Sequence, residues 1–356
     1  MHLHHLRALI TLALLSLLAP SLRASEGTVR VFILAGQSNM EGKAKNELWE
    51  HQATNDATAE LFAQHRKDGQ WIERDDAFIK YLGRHGNLTI GYGSPGRTGV
   101  ELEFGAVLAE NFDEPVLLIK TAWGGHSLVQ KFRSPSAGFP ADDILQAELA
   151  KARKRVEERN TESGRSDPLP TMETIKAGYG TSYRQMMAEI TETFAGVETL
   201  FPQLKGMQLE LSGFLWFQGW NDQYGGAEAE YASNMRHFIG DVRRDLKAPK
   251  LPFVIGVMGQ NGSEPAKGPM LVIQEAQISM AALPDFAGNV VAVRTDVLID
   301  RAAETLYPTW KENVEQWELT GSDHMYHYLG SAIWHLRMGH AFGDAMLELV
   351  ALGDER

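Results

Sequence analysis

Three residue types that acyl transfer needs stand far apart in this chain, each in a distinctive setting. Ser38 lies in Gly36-Gln37-Ser38-Asn39-Met40, directly after an apolar run. An acid and a histidine lie near the other end, in Gly321-Ser322-Asp323-His324-Met325-Tyr326-His327-Tyr328. A serine hydroxyl is a poor nucleophile until a neighbouring imidazole takes its proton. A carboxylate then fixes the tautomer of that imidazole and stabilises the imidazolium that forms. The negative oxygen of the tetrahedral intermediate needs donors already in place. The Ser38 N–H, a glycine N–H at Gly124 or Gly125, and the side-chain amide of Asn221 are candidates for that role. Each has a plainer alternative: Ser38 as a helix N-cap, the glycine pair as a tight turn, Asn221 as a turn residue.

Rival chemistries fit less well. The nucleophile elbow of α/β-hydrolases requires Gly-x-Ser-x-Gly, and Met40 occupies the last position. No His-Glu-x-x-His is present, and Asp323, His324 and His327 find no second histidine group to complete a zinc site. The chain has no cysteine, which removes thiol catalysis and cysteine-ligated metal. His126 and His340 lack an adjacent acid and are read as structural. Trp216, within an apolar run, is read as core.

The elements that must position these residues are legible as buried runs. Val29 to Ala35 is apolar but for Arg30 and rich in β-branched residues, and it stops at a glycine. Val116–Thr121 ends the same way at Trp123-Gly124-Gly125. Gly213–Phe217 runs into Gln218-Gly219-Trp220-Asn221-Asp222. Further strands are expected at 251–258 and 289–294, with helices at 101–112, 182–195, 227–246, 270–282 and 329–352. Strands alternating with helices predict a parallel sheet covered on both faces. In such a sheet the carboxyl ends of the strands form the binding edge. Residues 41–100 and 130–180 read as polar, irregular insertions that form pocket walls.

Composition bounds the partners. The formal charge of −12 over 356 residues argues against nucleic acid and against anionic membranes. Arg7, the apolar run Ala8–Ala19 and the small residue Ala24 match a secretory signal peptide over residues 1–24, leaving 25–356 as a single domain. A run of twelve residues is too short to span a bilayer. A secreted or periplasmic protein, with no membrane insertion after signal cleavage, is the expectation.

Gly36-Gln37-Ser38-Asn39-Met40, Gly219-Trp220-Asn221-Asp222 and the Asp-His pair near the C-terminus resemble the SGNH hydrolase superfamily. Within it, Trp-Gly-Gly and Trp-Phe-Gln-Gly are similar to the carbohydrate acetylesterases of the sialate O-acetylesterase and acetylxylan esterase group. The likeness runs from Val31 to about Phe342. It implies a flavodoxin-like three-layer α/β/α sandwich with a central parallel sheet, and a serine esterase acting on an acetylated carbohydrate without a cofactor. By similarity Ser38 is the nucleophile, His327 the base and Asp323 its acid. The same likeness adds Gln218 to the oxyanion donors Ser38, Gly124, Gly125 and Asn221. Beside the likeness, Gln37, Trp123, Trp220 and Tyr224 are the substrate-binding candidates, the aromatic ones forming a rim suited to stacking on pyranose faces. Two departures stand out. The superfamily spacing is Asp-x-x-His, whereas Asp323 lies four residues before His327. Trp220 also stands where these esterases carry glutamate in Gln-Gly-Glu. Both departures suit a second reading, an inactive carbohydrate-binding protein on the same fold.

Overall fold

The computed structural model describes residues 27–354, and the leader expected over 1–24 lies outside them. Seven strands form the central sheet: β1 (Thr28–Gly36), β2 (Ala77–Tyr81), β3 (Arg84–Asn87), β4 (Val116–Ala122), β5 (Gln208–Phe217), β6 (Phe253–Val257) and β7 (Val290–Arg294). Their order across the sheet is β7-β6-β5-β1-β4-β2-β3. All neighbours are parallel except β2 and β3, which form an antiparallel hairpin at one edge.

Strand β1 is central because both of its faces are apolar. Val29, Val31, Ile33 and Ala35 point into one core, and Phe32 and Leu34 into the other, as the period-2 pleat requires. The first core is closed by the helices Thr181–Leu200, Tyr231–Asp245 and Gly268–Met280 through Met186, Phe238 and Ile273. The second is closed by Glu101–Asn111 and Ala332–Asp354 through Phe104 and Phe342. The result is the expected three-layer α/β/α sandwich. Trp216 is fully buried in the first core, as read from its place in a strand.

The structure corrects one part of the sequence reading. Residues 41–100 were expected to be irregular, yet β2 and β3 arise within them and extend the main sheet. They add one antiparallel pair at the edge of the otherwise parallel sheet. Strand β2 is only five residues long and Lys80 interrupts its apolar run. The edge strand β3, Arg84-His85-Gly86-Asn87, carries charge and polarity, as edge strands do. Within the other insertion, Asp142–Ser163 forms a long helix.

The chain leaves the sheet at one edge through turns that tolerate little substitution. A Cβ on Gly36 would lie 2.1 Å from Phe217 O and 3.0 Å from Met40 Cβ. Only glycine lets β1 end against β5 and turn at once into the site.

Candidate active site

Gln37, Ser38, Gly124, Gly125, Asn221 and His327 line one cavity of about 390 Å³ at the carboxyl edge of the sheet, with Trp220, Tyr224, Lys43 and Tyr326 on its walls. Three parallel strands deliver the first five: β1 ends at Gly36, β4 at Ala122 and β5 at Phe217. His327 arrives from the segment before the last helix. Trp123 and Gln218 do not line this cavity. Trp123 packs against Phe132 in the core and stacks on His126 at 6.2 Å.

Ser38 is not the helix cap. Gln37, with extended φ −108°, holds that position, and Ser38 is the first residue of the short helix Ser38–Glu41. Its hydroxyl makes no hydrogen bond among the described residues, so local backbone chemistry does not account for it. Helix geometry leaves its backbone N–H, in the first turn, without an intrahelical acceptor.

A glutamine layer orients Asn221. Gln37 Nε2 donates to Asn221 Oδ1 at 2.9 Å, and Gln37 Oε1 accepts the backbone N–H groups of Gly219 and Asn221, both at 3.3 Å. Gln218 lies beneath this layer. Its Nε2 donates to Asp222 Oδ2 at 2.6 Å and to Gln37 Oε1 at 3.2 Å, and its carbonyl accepts from Gln277 Nε2 at 2.8 Å. Asp222 ties the layer to the neighbouring loop by accepting the N–H groups of Leu128 and Val129 at 2.8 and 2.7 Å. Burial pushes the Asp222 carboxyl up to about 6, against the opposing pull of Gln218, Leu128 and Val129.

The glycine turn is held by a residue that sequence reasoning missed. Glu41 Oε1 accepts the Gly124 N–H at 2.7 Å, and Glu41 Oε2 accepts Lys43 Nζ at 2.6 Å and Ser94 Oγ at 3.0 Å. Burial acts to raise the Glu41 carboxyl, but Lys43, the Gly124 N–H and Ser94 outweigh it and hold it below its usual range. The Gly124 amide is therefore engaged, whereas Gly125, with φ +77°, leaves its N–H without an acceptor among the described residues. The one signal for Glu41 was its position one helical turn after Ser38.

The four-residue Asp323–His327 spacing is closed by a curled segment. His327 N–H donates to His324 O at 2.9 Å, Leu329 N–H to the same carbonyl at 3.0 Å, and Asp323 N–H back to Leu329 O at 3.0 Å. Tyr328 and Leu329 both take left-handed φ, +54° and +60°. That conformation costs of order 1–3 kcal/mol per residue away from glycine and persists only where surroundings enforce it. Here the Tyr328 hydroxyl is fully buried, accepting the Gly259 N–H at 3.0 Å and meeting Thr295 Oγ1 at 2.8 Å. The curl sets His327 Nδ1 3.1 Å from Asp323 Oδ1, with the carboxylate off the axis of a straight hydrogen bond. Asp323 also accepts Arg97 Nη1 at 2.9 Å and the His324 N–H at 2.7 Å. Burial raises its carboxyl, but His327, the His324 N–H and Arg97 together hold it below the usual carboxylate value.

His126 and His340 take structural partners: His126 Nδ1 meets Ser182 Oγ at 2.7 Å, and His340 Nδ1 meets Glu103 Oε1 at 2.8 Å. Among the described residues no group of three or more histidine, aspartate or glutamate side chains is arranged to hold a metal ion. No described helix is long and apolar enough to cross a membrane.

Among solved structures, a protein from Arabidopsis thaliana is similar at 16% identity and TM-score 0.49, over 89% of this chain and 97% of that one. XAC1771, a carbohydrate acetylesterase from Xanthomonas citri, is similar at 16% identity and TM-score 0.45, over 90% of this chain and 56% of that one. NanS is similar at 13% identity and TM-score 0.43, over 76% of this chain and 79% of that one. No curated protein sequence matches the chain. Residues 28–164 and 170–305 match a family of carbohydrate esterases described as sialic acid-specific acetylesterases. The match takes in Ser38, Gly124 and Asn221 and stops before Asp323 and His327. The matched residues make up most of the chain, and this protein belongs to that carbohydrate esterase family.

Proposed function

We propose that this chain is an exported serine esterase that removes O-acetyl groups from a carbohydrate through an acetyl-serine intermediate. One observation carries the reading: Ser38, Asn221 and His327, from three remote parts of the sequence, face one cavity at the sheet edge. The family described as sialic acid-specific supplies the substrate class, an acetylated sialic acid, xylan or other glycan. The leader expected over residues 1–24 supplies export.

In this reading His327 Nε2 takes the proton of Ser38 as Oγ attacks the acetyl carbonyl carbon. Asp323 stabilises the imidazolium on the Nδ1 side. The carbonyl oxygen gains the negative charge and is met by the Ser38 N–H, the Gly125 N–H and the Asn221 side-chain amide. Collapse of the intermediate breaks the ester bond, and His327 returns the proton to the departing sugar oxygen. Water, deprotonated by His327, then attacks the acetyl-serine, releasing acetate and restoring Ser38. Gly124 joins the donors if its N–H leaves Glu41. Gln218 supports Gln37 from below, Trp220 and Tyr224 flank the sugar, and Trp123 backs the glycine turn.

The test is acetate release across acetylated sialic acids, xylans and other glycans. Release that disappears in Ser38→Ala is expected. The second reading, a binding protein without activity, is favoured by the absence of a hydrogen bond between Ser38 Oγ and His327 among the described residues. Apo active sites are often loose in this way. Glycan binding that survives Ser38→Ala, with no acetate released from any member of the panel, would establish that second reading instead.

A further inference from the structure

A second cavity, of about 470 Å³, lies on the other side of the segment that carries Asp323 and His327. The two cavities share that segment as a wall: Tyr326 and His327 line the first, Asp323 and His324 the second. Trp310 and Trp317 form the aromatic side of the second cavity. Neither residue has a role in the chemistry described above.

A row of rings crosses the wall. Trp220 lies 5.8 Å from Tyr326, Tyr326 stacks on His324 at 5.2 Å and 25°, His324 meets Trp310 at 6.2 Å, and Trp310 meets Trp317 at 6.3 Å. Tyr326 and His324, at the crest, are exposed. The Tyr307 hydroxyl, 3.3 Å from His324 Nδ1, fixes the ring in the middle. Rigid ring faces interleaved with polar groups suit a ligand whose faces are apolar and whose edges carry hydroxyls. A sugar chain has that character along its whole length.

The polar lining narrows the choice. Lys45 faces Glu47, Glu318 and Asp323, and the Arg97 guanidinium is committed to Asp323 at 2.9 Å. Without a surplus of positive charge, the cavity does not favour an acidic sugar unit.

We propose that the second cavity is a distal sugar subsite, in which Trp310 stacks on a neutral unit of the same oligosaccharide that carries the acetyl ester. The proposal rests on the esterase reading and makes it more specific: the substrate is an acetylated sugar within a chain. Binding energy from that remote unit raises kcat/KM without touching the reacting atoms.

Acetate release is to be measured on partially O-acetylated xylo- and manno-oligosaccharides of one to four units, and on O-acetylated sialic acid both free and joined to lactose. In at least one series kcat/KM is expected to rise about tenfold or more with added units. Trp310→Ala removes that gain and Trp310→Phe restores most of it, while hydrolysis of p-nitrophenyl acetate stays within about twofold of wild type. No gain with length in any series, or a gain that survives Trp310→Ala, overturns the proposal. Failure of the esterase reading shows separately, as no acetate from any compound, p-nitrophenyl acetate included. The subsite is then decided by tryptophan fluorescence titration with the unacetylated oligosaccharides. Binding weakened by Trp310→Ala upholds it, and no binding, or binding indifferent to Trp310, overturns it.

Discussion

Gln37 donates its side-chain N–H to Asn221 Oδ1 at 2.9 Å. The direction of this bond is set by the backbone, because the N–H groups of Gly219 and Asn221 can only meet the oxygen of Gln37. Asn221 therefore spends its oxygen on Gln37 and keeps its NH₂ for the cavity. Gln37 thus decides which end of the Asn221 side chain is left for the cavity.

Gln37→Glu reverses that arrangement while keeping the shape. Its second oxygen accepts from the Asn221 NH₂, turning the donor away from the developing oxyanion. Loss of one such donor costs about 10²–10³ in kcat. Gln37→Glu and Asn221→Ala are both expected to lose activity on that scale with little change in KM. A Gln37→Glu enzyme with wild-type kcat would remove Asn221 from the oxyanion site.

Asp323→Asn tests the curled segment. The amide leaves the shape intact but no longer stabilises a positive imidazole at Nδ1. A drop in kcat approaching roughly 10⁴ is expected, the scale seen when a protease triad aspartate is replaced by asparagine. Steady-state kinetics on an acetylated substrate provide the measurement. A change under about tenfold would mean that His327 works without its acid.

Asp222 gives a pH signature in stability. Its carboxyl rises from the ordinary value of 3.8 to about 6 on folding, through burial. The native state then holds a proton that the unfolded chain has released, so stability falls as pH rises through the window from about 4 to 6. The contribution is of order 3 kcal/mol at its full extent. Urea unfolding of wild type and Asp222→Asn across this window gives the difference, and the variant is expected to lack this part of the slope. Parallel curves would assign the slope to other groups.

Lys120 and Glu101 form an ion pair at 2.8 Å with both side chains fully buried. Lys120 Nζ also donates to the carbonyls of Glu41 and Tyr92, both at 2.8 Å, and so anchors the turn that follows Ser38. Breaking such a pair by removing one partner typically costs about 3–5 kcal/mol, because the other charge is left buried. Lys120→Ala is expected to lose that much in denaturant unfolding, and Lys120→Met with Glu101→Leu to recover part of it. A stable Lys120→Ala variant would contradict this view of the turn.

What was legible in the sequence follows from burial. The buried stretches Val31–Ala35 of β1, Val116–Ile119 of β4, Gly213–Phe217 of β5 and Phe253–Val257 of β6 are covered on both faces and therefore read as apolar runs. Strands β2 and β3 were not legible, because Lys80 and the polar edge broke the pattern that a buried strand requires. Gln37, Ser38, Gly124, Gly125 and Asn221 line the cavity because they follow the strand ends that made them candidates. The supporting residues Glu41, Lys43 and Arg97 follow no such strand end, and they are ordinary polar residues until folding brings Gly124 and Asp323 against them. Gln218 shows the limit from the other side. Its place in a motif suggested a donor to substrate, whereas its amide is drawn down to the buried Asp222. The Asp323–His327 spacing departed from the family pattern, and only the left-handed pair Tyr328 and Leu329 shows how the chain brings the two side chains to 3.1 Å.

The central claim is that the Ser38 oxygen carries the acyl group. The direct measurement is acetate release by wild type and Ser38→Ala under saturating acetylated substrate, with circular dichroism confirming that both are folded. A fall in kcat of roughly 10⁴-fold or more is predicted, since the remaining donors and binding contacts cannot replace the nucleophile. A Ser38→Ala enzyme retaining kcat within about tenfold of wild type would contradict the account.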